Sequence, residues 1–186
     1  MGLDMYLSAS KRVSGYEFRG AEAVREYAEL VEKFDVGDVV EPETPSAEVS
    51  FVVAYWRKAN QIHHWFVENC QGGVDECQKA YVSREQLEEL RDLCQRVLDE
   101  SQLAPDGTHP VTTLMPSGQV VEQQEPKRSP RNPDVAKELL PHQEGFFFGT
   151  YQYDEWYWEE LENTIAQIDR ALKLSGYWEF EYRSSW

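Results

Sequence analysis

Hydrophobic positions along this chain change their period several times, and each change marks an element. Leu3, Met5 and Leu7 alternate with Asp4, Tyr6 and Ser8, which predicts a strand over Leu3–Ala9 with one buried face. From Ala21 to Phe34, Val24, Ala28 and Val31 recur at i, i+4 and i+7, with Tyr27 and Leu30 widening the stripe of an amphipathic helix. Gly37, Pro42 and Pro45 mark a loop. The β-branched and aromatic run inside Glu48–Ala54 predicts a second strand. A helix over Tyr55–Asn69 is expected next, stopped by Gly72-Gly73.

Ser83-Arg84-Glu85-Gln86 has the form of a capping box, opening a helix to about Glu100 with Leu87, Leu90, Cys94 and Val97 as its core stripe. Residues 101–142 lose this periodicity. They read as a long proline-containing loop or insertion, with room for a β-hairpin near Val111–Val121 and a helical turn at Asp134–Leu140. Gly145–Gly149 reads as a short buried strand or turn. Asp154 is placed to N-cap a helix to about Leu174, with Trp158, Leu161, Ile165, Ile168 and Leu172 along one face and Gly176 as its stop. Tyr177–Tyr182 alternates aromatic and charged residues as a closing strand. Without regular strand–helix alternation, the expected architecture is α+β. It is a single domain over 1–186, with a small, mostly antiparallel sheet of three to four strands packed against three to four helices.

Composition narrows the function classes. The chain is 41% hydrophobic and 13% aromatic, which excludes wholesale disorder. No run of eighteen apolar residues occurs, so no membrane association is expected. Without a secretory leader pattern, and with three cysteines (Cys70, Cys77, Cys94) in no CxxC spacing, the expected setting is a reducing cytoplasm. Eighteen basic against 34 acidic residues leave a net charge of −16, a field that repels phosphate backbones and disfavours general nucleic-acid binding. The acidity either serves solubility alone or forms a face for a basic protein surface.

Candidate chemistry concentrates in two segments. On a helix, Tyr55, Ala59, Ile62, Phe66 and Cys70 form a core stripe, and Trp56, Asn60 and His63 adjoin it. Lys58, Gln61, Trp65 and Glu68 then point towards solvent. A solvent-side Trp65 requires a covering loop, a partner or a flat ligand. An indole, amide, imidazole and guanidinium at Trp56, Arg57, Asn60, His63 and Trp65 suit a base and a phosphate, or equally a satisfied core-edge network. The second segment, 151–160, has five aromatics and four acids. Tyr151, Tyr153, Asp154, Glu155 and Trp156 either complement a helix N-terminus or form a patch for a basic partner. Adjacent His63 and His64 diverge by about 100° on a helix, so no metal site is expected and no cofactor is implied. Known nucleotide-loop, hydrolase and kinase motifs do not occur.

Several blocks also resemble a family. Met1-Gly2-Leu3-Asp4-Met5-Tyr6-Leu7, the run Tyr55–Asn60 through Ile62-His63 to Trp65-Phe66-Val67, Gly145–Gly149 with Tyr153-Asp154-Glu155, and the closing Ser184-Ser185-Trp186 are similar to small uncharacterised proteins of tailed phages and prophages. The likeness runs end to end except over 101–142. It implies expression in the cytoplasm of a bacterial host, as an accessory or counter-defence factor, and carries no catalytic residues with it. Three expectations follow: a non-enzymatic protein that sequesters a small nucleotide-like ligand, an acidic inhibitor that docks on a basic host protein, and, third, a hydrolase using carboxylates and His63.

Overall fold

The computed structural model describes residues 2–145 and 147–186. The first strand, β1, runs Asp4–Ser14 and places Met5, Leu7 and Ala9 on one face, fully buried, with Asp4, Tyr6 and Ser8 on the other. It is followed by a 3-10 turn, Glu17–Arg19, and by helix α1, Ala21–Phe34. Strand β2, Ser46–Arg57, pairs antiparallel with β1 along its whole length, with a bulge opposite Leu7/Ser8. Helix α2 spans Asn60–Cys70, strand β3 Ala80–Val82 and helix α3 Arg84–Ser101. Strands β4, Leu103–Leu114, and β5, Val120–Pro130, form a hairpin, followed by a short helix α4, Asp134–Leu139. Helix α5, Glu155–Ala171, and strand β6, Glu179–Ser185, complete the chain.

The main sheet has the order β2-β1-β6-β3, and all its described pairings are antiparallel. Its buried face (Leu3, Met5, Leu7, Ala54, Trp56, Phe180, Tyr182) joins Ile62 and Phe66 of α2, Leu87 and Leu90 of α3, and Trp158 and Leu161 of α5 in one core. The fold is α+β, as expected. No helix among the described residues is long and apolar enough to cross a membrane.

Three boundaries differ from the sequence reading. Tyr55, Trp56 and Arg57 belong to β2, opposite Tyr6, Met5 and Asp4, and not to a helix. The aromatic run continues the strand because its inward member, Trp56, completes the sheet's core face, and its indole N–H donates to Thr164 Oγ1 at 2.9 Å. Tyr55 faces outward and is exposed, not core. Its main-chain N–H and C=O are both taken by the Gln167 carboxamide of α5, at 2.7 and 3.0 Å, which clamps the helix to the sheet edge. The second difference is at 101–142, where the expected loop is a β4–β5 ribbon plus α4. Its strand prolines are tolerated because both strands of a two-stranded ribbon are edges. Third, Asp154 stands at the N-cap position of α5, but its side chain makes no capping bond. The Ser83–Gln86 capping box of α3 does form, with both reciprocal bonds.

The ribbon is tied to α5 through Arg128. Its backbone N–H and Nε donate to the buried Glu155 carboxylate at 2.6 and 2.9 Å, and its remaining guanidinium nitrogens reach Glu162. An isolated two-stranded ribbon has little stability of its own, so this anchor holds it to the body. Arg128→Ala is expected to lower stability by about 2 kcal/mol, the scale of a charged hydrogen bond. Amide exchange should then accelerate across Val120–Pro130, with β1 and β6 almost unchanged.

Candidate functional site

The connection from β2 to α2 lines a cleft that it shares with the start of α5. β2 ends at Arg57, and Lys58 takes a left-handed backbone (φ 61°), its N–H bonded to Leu3 O at 2.8 Å. Ala59 then stands at the N-cap of α2 with no side-chain cap and no acid in the first turn. Gly149 lies against this bend: a Cβ there would fall 2.9 Å from Lys58 O, and its φ of +109° favours glycine independently. Between the bend, the 147–152 segment and the first turns of α5 lies a cleft of ≈ 500 Å³. That is within the range of small-molecule sites. Arg57, Lys58, Gln61, His142, Trp156 and Glu160 are among its lining residues.

Asn60, fully buried at the start of α2, holds one wall of the cleft in place. Its Nδ2 donates to Phe148 O (3.3 Å) and Thr150 O (2.9 Å), and its Oδ1 meets His142 Nδ1 at 2.5 Å. An acceptor at Oδ1 assigns the proton of a neutral His142 to Nδ1. Burial holds His142 below the usual imidazole range, partly offset by the Gln152 backbone and by Asp154. The Glu160 carboxyl is raised by burial, and the amide of Asn163 offsets part of that.

His63 belongs to a different network. Its Nε2 meets Asp75 Oδ2 at 2.9 Å and its Nδ1 meets the Tyr182 hydroxyl at 2.7 Å, while Asp75 Oδ1 accepts from the Trp186 indole at 3.1 Å. Gln143 also reaches Asp75, at 3.4 Å. His63 and Tyr182 are fully buried, so this relay locks the C-terminal strand and the 143–148 wall to α2. Burial lowers the His63 pKa, and the Asp75 hydrogen bond offsets only part of the shift.

The five residues singled out in the first segment therefore do not share one hollow. Trp56, Asn60 and His63 are interred, and Trp65 is 8% exposed, set edge-to-face on Phe66 at 5.3 Å. The solvent-side placement of Trp65 and Gln61 is corrected: α2 is buried on almost every side, so its polar-looking stripe also faces protein. Of the five, only Arg57 lines the cleft. In the acidic, aromatic segment, Glu155 is engaged by Arg128, Tyr153 packs on His142 and Tyr157, and Tyr151 bonds Gly145 through its hydroxyl. Asp154 is half-buried. Trp156, 60% exposed, lines the same cleft as Arg57. Lys58, Gln61, His142 and Glu160 are among the lining residues that sequence reasoning missed.

Neither Cys70 nor Cys94 offers an activated nucleophile: burial pushes Cys70 up to about 12 and raises Cys94 further. No family model, no curated protein and no solved structure matches the chain.

Both buried imidazoles bind protons less readily in the folded chain than in the unfolded one. Their contribution to stability is complete above the ordinary imidazole value of about 6.5 and is lost as the pH falls below it. Wild type should lose more stability than His142→Gln between pH 7.5 and pH 5, read as the difference in denaturation midpoint. The carboxyls common to both proteins, including the oppositely shifted Glu159 and Glu160, cancel in that difference.

Proposed function

We propose that this chain is a binding protein that sequesters a small, flat, anionic, nucleotide-like ligand in the cleft beside the start of α2. The observation that carries this reading is charge placement. In a chain of net charge −16, Arg57 and Lys58 stand exposed side by side at one cleft with no ion-pair partner among the described residues, while half of the other cations are paired. The N-terminus of α2, which has no side-chain cap, adds the positive end of its dipole at the same place, although the Asn60 and Ile62 N–H groups are taken by Lys58 O and Ala59 O. Trp156 supplies an exposed ring at the wall, and base–aromatic stacking contributes about 1–3 kcal/mol.

The chain's overall negative field opposes such a ligand, so magnitudes decide. At physiological salt, charges more than about 8 Å away are largely screened, whereas a contact pair at 4 Å near a surface keeps about 4 kcal/mol. The two local cations therefore outweigh the distant carboxylates, and of the acids only Glu160 lines the cleft among the described residues. A ligand held this way needs no catalytic apparatus, and none of the cleft residues is a poised nucleophile. Sequestration of a host signalling nucleotide, by an accessory protein of phage origin, is the use that fits both the cleft and the family resemblance.

The alternative, docking of the 151–162 segment on a basic host protein, is less favoured because its acid Glu155 and its rings Tyr153 and Tyr157 are already engaged internally. Calorimetric titration with AMP, GMP, CMP and UMP tests the proposal. Binding by wild type is expected, with at least a tenfold loss in the doubly substituted Arg57→Glu, Lys58→Glu protein and little change in its thermal stability, since both side chains are exposed. Wild type that takes up none of the four nucleotides, together with a protein partner captured through Trp156, would replace this reading with the alternative.

A further inference from the structure

Gln61 occupies an unusual position in the cleft. Only 3% of its surface is exposed, it lines the cavity, and its carboxamide makes no hydrogen bond to any described residue. Its polar neighbours Asn60 and His63 are engaged: Asn60 holds the wall, and His63 holds Asp75 and Tyr182. Gln61 keeps both amide atoms in contact with the cleft, with no protein partner among the described residues. It is therefore primed for a ligand that offers a donor and an acceptor side by side in one plane. A phosphate group supplies acceptors only, which would satisfy Nε2 and leave Oε1 bare. A nucleobase edge supplies both, as when a glutamine takes the amino group and ring nitrogen of adenine. Glu160, whose Oε1 accepts from Asn163, brings a further acceptor to the same cavity.

Resting on the ligand reading above, we infer that the cleft is polarised. The nucleobase lies at the inner end with its hydrogen-bonding edge on the Gln61 carboxamide, and the phosphate lies at the rim on Arg57 and Lys58. The contrast between a buried amide and two exposed cations sets this direction, because the desolvated end of a ligand must be its less charged end. Trp156, largely exposed, then meets the face of the base or sugar between the two ends. In this arrangement Gln61 determines which ligands are accepted, and the cations hold any phosphate ester.

The test titrates the full chain with AMP, GMP and ribose 5-phosphate, comparing wild type with Gln61→Leu, Gln61→Glu and the Arg57→Glu, Lys58→Glu protein. At least one purine nucleotide should bind wild type ten- to a hundredfold more tightly than ribose 5-phosphate. Gln61→Leu should weaken that nucleotide at least fivefold without weakening ribose 5-phosphate itself, the stacking on Trp156 remaining. Gln61→Glu, which keeps the volume and loses the amide donor, covers the case in which the leucine protein does not fold. The charge-reversed protein should lose all three ligands together. If both Gln61 variants keep the wild-type nucleotide preference while charge reversal still removes binding, the base is not at Gln61; this inference falls and the ligand reading stands. Wild type that binds neither nucleotide nor ribose 5-phosphate overturns both.

Discussion

The buried carboxamide of Asn60 ties His142, Phe148 and Thr150 to the start of α2, and one wall of the cleft rests on those bonds. Its amide nitrogen bridges Phe148 O and Thr150 O, and its oxygen takes the His142 proton. Groups so deeply buried are hydrogen-bonded, and here the backbone acceptors belong to Phe148 and Thr150, which lie outside helix and strand. The wall is therefore positioned by a few polar contacts, assisted by Phe148 packing edge-on to His63 and by Gln143 reaching Asp75. The sheet and the three core helices do not depend on this arrangement in the same way, since their cohesion comes from the apolar cluster that runs from Leu3 to Tyr182.

Much of the scaffold was legible from residue pattern. The alternation of Leu3, Met5 and Leu7, the capping box at Ser83, and the stripe through Trp158, Leu161 and Ile168 each correspond to an element with those residues buried. In each case local preference and tertiary demand agree. The run Tyr55–Arg57 was misassigned because apolar residues in a short segment satisfy helical and extended periods alike, and pairing with β1 decides between them. The β4–β5 ribbon was only partly visible, because prolines suppress the strand signal except on edges.

The candidate site was less legible than the scaffold. Arg57 and Trp156 were both singled out but assigned to separate purposes, and nothing in their 99-residue separation reveals that one cleft contains both. Trp65 drew attention as a polar-side aromatic, yet α2 is enclosed on nearly all sides and that tryptophan is core. Gln61 was passed over for the same reason in reverse, since a glutamine beside a lysine reads as solvent-facing. Burial around a short central helix depends on long-range packing, which helical spacing does not encode.

Electrostatics and burial thus divide the molecule between two tasks. Its large negative charge sits on the outer surface, while the cleft concentrates unpaired cations, an unpartnered amide and one exposed indole, arranged around a wall that hangs on Asn60. Hydrogen exchange read by mass spectrometry, comparing wild type with Asn60→Ala, tests that dependence most directly. The account predicts that peptides spanning 142–152 lose protection while those from β1, α5 and β6 keep theirs. Equal protection across 142–152 in the two proteins would contradict it.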